Sequence, residues 1–146
     1  MIVGNSRLSI EDARILLAGA AIRSAEIGVP MCTAICDESG LLLAFEREDG
    51  GKATSIGIAI DKAFTSAGSR RPTRFYGEKS VPGGPTFGIQ FSNEGRFCVI
   101  PGGLPVVVED VVVGGVGCSS GTGDQDEDVA QGAIDHFFNA TGLGRD

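Results

Sequence analysis

The chain switches between two hydrophobic periods, and the switch points mark its elements. Ile10, Ala13, Leu17, Ala20 and Ala21 recur at helical spacing behind Ser9, which has Asp12 three residues on as a capping-box partner. Gly28 and Pro30 close that helix. The apolar stretches Met31–Cys36 and Leu41–Glu46 follow. Asp37–Gly40 between them supplies Asp, Ser and Gly for the turn of an antiparallel hairpin. Ser55 can cap a second predicted helix with Ile56, Ala59, Ile60, Ala63 and Ala67 on one face, ending near Gly68 and before Pro72. Thr73–Gln90 breaks into short pieces around Pro82, Gly83, Gly84 and Pro85. It reads as a long surface loop with one helical turn near Arg74–Lys79, and loops of this length in small domains often serve function. Three more strands, Phe97–Ile100, Pro105–Val108 and Val111–Cys118, precede a final helix from Asp124 to Ala140. Consecutive strands without crossover helices imply an antiparallel sheet. The expected fold is therefore α+β, in the order α-β-β-α-loop-β-β-β-α, rather than a Rossmann arrangement.

Composition narrows this picture. The 146 residues suit a single domain spanning 1–146, and 42% hydrophobic content is enough for one core. A net charge of −7 argues against nucleic acid or an anionic membrane surface as partner. No apolar run approaches the ~20 residues of a membrane span. Cys32, Cys36, Cys98 and Cys118 all fall in predicted strands. With no C-x-x-C and no leader segment, they read as reduced, buried thiols of a cytoplasmic protein. Cys32 and Cys36, four apart on one strand, face the same side.

The stretch GGVGCSSGTGDQDEDVAQ, Gly114 to Gln131, has the outline of a phosphate cradle: a strand, a Gly/Ser turn and a helix start. No lysine follows its glycines as a P-loop requires, and Gly121 falls one residue late for a dinucleotide fingerprint. Asp124, Asp126, Glu127 and Asp128 crowd the helix start, and Thr122 with Gln125 forms a second capping box there. An EF-hand loop is excluded by Val129 and Asp135 at its glycine and glutamate positions. The glycines instead suit close packing, and together with PGGLP at Pro101–Pro105 they suggest a shallow groove or a subunit contact. Lys62, Arg70, Arg71, Arg74 and Lys79 form a basic window that reads either as a solvated helix end or as the rim of an anionic-ligand site.

Five segments occur together and in order: LSIEDARILLAGAAIRSAEIGVP, DESGLLLAFEREDG, SIGIAIDKAFTSA, PGGLPVV and GGVGCSSGTGDQDEDVAQGAI. In this order they resemble the GlcG/HbpS-like family, which is also similar to the C-terminal part of PduO-type cobalamin adenosyltransferases. The resemblance covers about residues 8–140 and implies a five-stranded antiparallel sheet flanked by helices. It further implies a homo-oligomer with small-molecule pockets near subunit interfaces, and heme or a related tetrapyrrole as ligand. The residues it carries over as ligand-binding are Arg47, Asp49, Lys62, Thr65, Gly102, Gly103, Ser120, Gly121, Gln125 and Asp126. Arg47 and Lys62 could hold a carboxylate, Arg in bidentate fashion. Equally, Arg47 and Asp49 could form a local surface pair, and Lys62 could pair with the acids near Asp124 and clamp two helices. His136, the single histidine, sits at the edge of the last helix's apolar face, and Tyr76 in the long loop is the other conceivable iron ligand.

Three function classes fit these residues. The first is a small-molecule binding protein, with heme or a related tetrapyrrole as its ligand. The second is a catabolic enzyme that isomerises, eliminates or hydrates a small carboxylated compound, using Asp49, Glu46 or Tyr76 to move a proton. The third is an accessory subunit of such an enzyme. One histidine leaves no Ser–His–Asp, Cys–His or zinc constellation.

Overall fold

A computed structural model describes residues 1–145. Four strands, β1 (Cys32–Asp37), β2 (Leu42–Arg47), β3 (Gly103–Val108) and β4 (Val111–Ser119), form one antiparallel sheet in the order β2-β1-β4-β3. Four helices accompany it: α1 (Ile10–Ile27), α2 (Ser55–Ser69), the short α3 (Thr73–Gly77) and α4 (Gly123–Thr141). Their boundaries follow local chemistry. Ser9 Oγ accepts the Asp12 N–H while the Asp12 carboxylate accepts the Ser9 N–H, and Gly28 ends α1 with φ 69°. Thr122 and Gln125 repeat the same reciprocal cap at α4. In the first hairpin, Asp37 Oδ1 accepts the N–H groups of Ser39 and Leu41, which holds the turn in register.

The sheet is covered on both faces, so every residue of central strand β1 is buried. Met31, Ile35, Val116, Val129 and Phe137 pack with Leu16 of α1 on one side. On the other, Cys32, Ala34 and Cys36 meet Ala59, Ala63 and Ala67 of α2. The two thiols of β1 do face one side, and all four cysteines are free.

Two expectations are corrected. The sheet has four strands, not five, because Phe97–Ile100 is irregular. Its backbone groups are taken by threonine hydroxyls instead of a strand partner. Thr65 Oγ1 accepts the Cys98 N–H at 2.9 Å, and Thr73 Oγ1 donates to the Ile100 carbonyl at 2.6 Å. The edge strand β3 also carries Pro105, which has no N–H to offer a further strand. The second correction concerns the glycines of β4. They form neither an open groove nor a subunit contact, because the same chain covers them: Leu8 meets Gly114, and α2 lies on Gly115 and Gly117. A Cβ at Gly117 would fall 2.0 Å from the Ala59 carbonyl oxygen, and one at Gly115 would fall 2.6 Å from that of Ala63.

This packing sets a contrast that urea denaturation can check. Gly117→Ala forces the α2 backbone off the sheet and is expected to lose about 3 kcal/mol of stability. Gly57→Ala, on the open side of the same helix with nothing within 4 Å of its Cβ position, is expected to gain about 0.5 kcal/mol.

Candidate functional site

Seating α2 against glycine drives Lys62 under the end of the sheet. The side chain is 1% exposed, and its Nζ donates to Asp126 Oδ2 and to the Cys118 carbonyl, each at 2.9 Å. Asp126 is equally buried, and its Oδ1 accepts the Gly121 N–H at 2.9 Å. One ion pair thus ties α2, the end of β4 and the start of α4. The clamp between two helices expected for Lys62 is realised through Asp126. Gly102, with φ 130°, lets the preceding loop cross this pair: a Cβ there would lie 2.8 Å from Lys62 Nζ and 2.6 Å from the Cys118 carbonyl oxygen. Gly103 passes equally close to the Lys62 backbone. Ser120 holds φ 119°, a conformation that costs a non-glycine residue about 1–3 kcal/mol, and its Oγ accepts the Lys52 N–H at 3.1 Å.

Beside this pair opens a cavity of about 250 Å³. Lys52, Ser55, Lys62, Ser119, Ser120 and Asp126 supply its polar lining, with Ile58 and Ile100 as apolar walls. Arg47 stands exposed at the same end of the sheet, since it pairs with Cys32 and Cys32 pairs with Ser119. Of the residues singled out in the sequence, Lys62, Gly102, Gly103, Ser120, Gly121 and Asp126 come together here. The others do not. Asp49 lines a different cavity with Ser24 and Glu48, and among the described residues it forms no ion pair with Arg47. Thr65 is buried; its hydroxyl donates to the Asp61 carbonyl and accepts the Cys98 N–H. Tyr76 packs edge-on between Phe75 and Phe97, and Gln125 serves the α4 cap. Lys52 and Ser119 were not foreseen, and Ser55 was expected only to cap α2, whereas Thr54 holds the cap position and no side-chain cap bond forms. The only traces of Lys52 and Ser119 in the sequence are the lysine after Gly50–Gly51 and the serine pair before the second capping box.

Three cations pair with the four acids at the start of α4. Arg74 pairs with Asp124 and Glu127, Lys62 with Asp126, and Arg23 with Asp128. Much of the basic window is therefore committed within the protein, and Arg71 and Lys79 each lie 4.2 Å from the centre of the Phe75 ring. His136 belongs to the α1–α4 layer, where a Cβ on Gly19 would sit 2.6 Å from its own Cβ. Burial pushes the Cys36 and Cys118 thiols up to about 12, and it also raises Cys32 and Cys98. Neutral, buried thiols are poor metal ligands. Among the described residues, no three His, Cys, Asp or Glu side chains are grouped to hold a metal ion, and no helix is long and apolar enough to cross a membrane.

Two outcomes follow from this geometry. Lys62→Met leaves Asp126 buried without its cation and is expected to lose roughly 3–5 kcal/mol in urea unfolding, while Lys62→Met/Asp126→Leu recovers at least half of that loss. The thiols give a pH dependence of definite sign. Unfolded Cys36 and Cys118 ionise near the ordinary value of 9.0, while the folded thiols stay protonated up to about 12. Stability is therefore whole below pH 9 and declines as pH rises from about 9 to about 12. A Cys36→Ala/Cys118→Ala variant should show a shallower alkaline decline in the same assay.

Comparison with known proteins places these features in a family. Residues 8–135 match the model described as haem degrading protein HbpS-like. The chain is 34% identical over 112 residues to protein GlcG of Escherichia coli K12, covering 77% of this chain and 81% of GlcG. The crystal structure of the Klebsiella pneumoniae protein ORFY superposes with a TM-score of 0.91 at 29% identity, covering 93% of this chain and 94% of that one. A PduOC:heme complex superposes with a TM-score of 0.86 at 27% identity, covering 95% of this chain and 98% of that one. Helix caps, hairpins, the loop over Lys62 and the acidic start of α4 all lie within the matched span, and the chain belongs to the GlcG/HbpS-like family.

Proposed function

We propose that this protein binds heme or a related tetrapyrrole at the end of the sheet where β2 and β4 finish. The observation that carries the reading is the likeness, over nearly the whole chain, to PduOC solved with heme. The charge pattern agrees with it. Arg47 and Lys52 are exposed at this end, and Arg74, Lys62 and Arg23 pair with the acids at the start of α4, so the carboxylates on the rim of such a ring find cations within reach. A heme supplies redox-active iron when bound, and there the fit divides. The cavity lining suits carboxylates but offers the iron no imidazole, phenolate or thiolate. His136 and Tyr76 lie outside it, and the thiols are held neutral. The chain's own contribution is thus a grip on the edge of the ring.

At about 250 Å³ the cavity is smaller than the roughly 300–1,000 Å³ that encloses a typical ligand. A second copy of the chain would cover the remaining face of the ring, which makes a homo-oligomer part of the same proposal.

Hemin titrated into the full-length protein should give a saturable Soret shift at micromolar concentration. Protoporphyrin IX, which lacks iron, should bind within about tenfold of hemin because the iron is not the anchor. Arg47→Ala/Lys52→Ala should weaken both by about tenfold or more. A titration without saturation would sink the proposal, and so would protoporphyrin IX failing to bind where hemin does.

A further inference from the structure

Eight serine and threonine residues are buried: Ser24, Thr33, Ser55, Thr65, Ser66, Thr73, Ser80 and Ser119. Six of them use their side-chain hydroxyl within the protein. Ser55 and Ser119, 4% and 5% exposed, have no such hydrogen bond among the described residues, and both line the cavity beside Lys62. Neither hydroxyl is sealed away, since the fully buried side-chain polar atom left without a partner is Glu38 Oε2, elsewhere in the molecule. Both hydroxyls are free of protein partners and open on one cavity, where a bound group can accept their hydrogens in place of water. Lys62 adds a third donor. Its ammonium carries three N–H bonds, of which Asp126 and the Cys118 carbonyl take two.

From this we infer that the cavity is a seat for a small monocarboxylate. The donors match its two oxygens: Ser55 Oγ and Ser119 Oγ each offer one hydrogen, and Lys62 Nζ offers its remaining one. The charge balance selects a monoanion. Asp126 neutralises Lys62, which leaves Lys52 at the mouth as the one uncommitted cation of the lining. A phosphate dianion would face the Asp126 carboxylate with half its charge unmatched. Ile58 and Ile100 form apolar walls, and the volume limits the ligand to a few carbons or to one carboxylate arm of something larger. The seat stands on the hydroxyls and Lys62, so it holds whether or not a tetrapyrrole binds.

The test is an NMR titration of the full chain with sodium butyrate, set against butyramide, which has the same shape without the charge. Butyrate should shift the amides of Ser55, Ser119 and Gly121 saturably in the millimolar range, and butyramide should bind at least tenfold more weakly. Ser55→Ala/Ser119→Ala should lose at least tenfold in butyrate affinity while its melting temperature holds or rises, because the deleted hydroxyls have no partner in the protein. If that variant does not fold, Lys52→Met, altered only at the exposed mouth, should still weaken butyrate severalfold. Non-saturating shifts, equal binding of butyramide, or a double variant with unchanged affinity would overturn the inference. Repeating the titration with hemin present separates two sources of the carboxylate. Loss of butyrate binding identifies the seat as that of a tetrapyrrole's own carboxylate, and retention identifies a free acid. If hemin does not bind at all, the tetrapyrrole proposal fails and the butyrate result stands alone.

Discussion

Everything at the working end of this molecule depends on one close approach, the backbone of α2 lying directly on Gly115 and Gly117 of β4. With side chains on those two residues, α2 would stand off at the ordinary spacing of a helix on a sheet. At the distance observed, Lys62 is nearly fully buried, and two of its three N–H groups find partners inside the fold. The partners are the Cys118 carbonyl and Asp126. Burying that charge carries a desolvation cost of several kcal/mol, offset only because both sides of the pair are otherwise hydrogen-bonded. Gly102 and the strained Ser120 follow from the same constraint, since the two loops that close over the pair must pass within contact distance of it.

The consequence for chemistry is a small polar space that the protein does not satisfy by itself. Elsewhere the buried hydroxyls are spent on partners within the protein, as Thr65 and Thr73 are in holding the 96–103 segment. Around the ion pair they are not. Ion pairs from Arg74 and Arg23 meanwhile reduce the negative potential that the start of α4 imposes on this end of the molecule. A chain with a net charge of −7 still exposes two cations, Arg47 and Lys52, at this end.

Much of this was legible in the sequence where the signal is local. The Ser9–Asp12 and Thr122–Gln125 boxes, Gly28 as a helix stop and the Asp37 turn depend on residues a few positions apart, and each occurs as read. The fifth strand was misread because Phe97–Ile100 has strand-like residues, whereas its pairing depended on hydroxyls about 30 residues away. Likewise the acids at Asp124–Asp128 looked hostile to any anion, since their cations come from α1, α2 and α3.

By itself, the sequence determined the helices, the hairpins, the antiparallel α+β class and the family, because periodicity, caps and ordered motifs are written over short spans. Through the resemblance it also carried over Lys62, Gly102, Ser120 and Asp126, together with Asp49, Thr65 and Gln125, which lie elsewhere. Only the tertiary structure decided that Lys62 is sealed against Asp126, that α2 fills the glycine surface, and that Ser55 and Ser119 turn idle hydroxyls toward one cavity. Burial and pairing are properties of distances across the chain. They come into being when α2 settles on β4, and no single segment contains them.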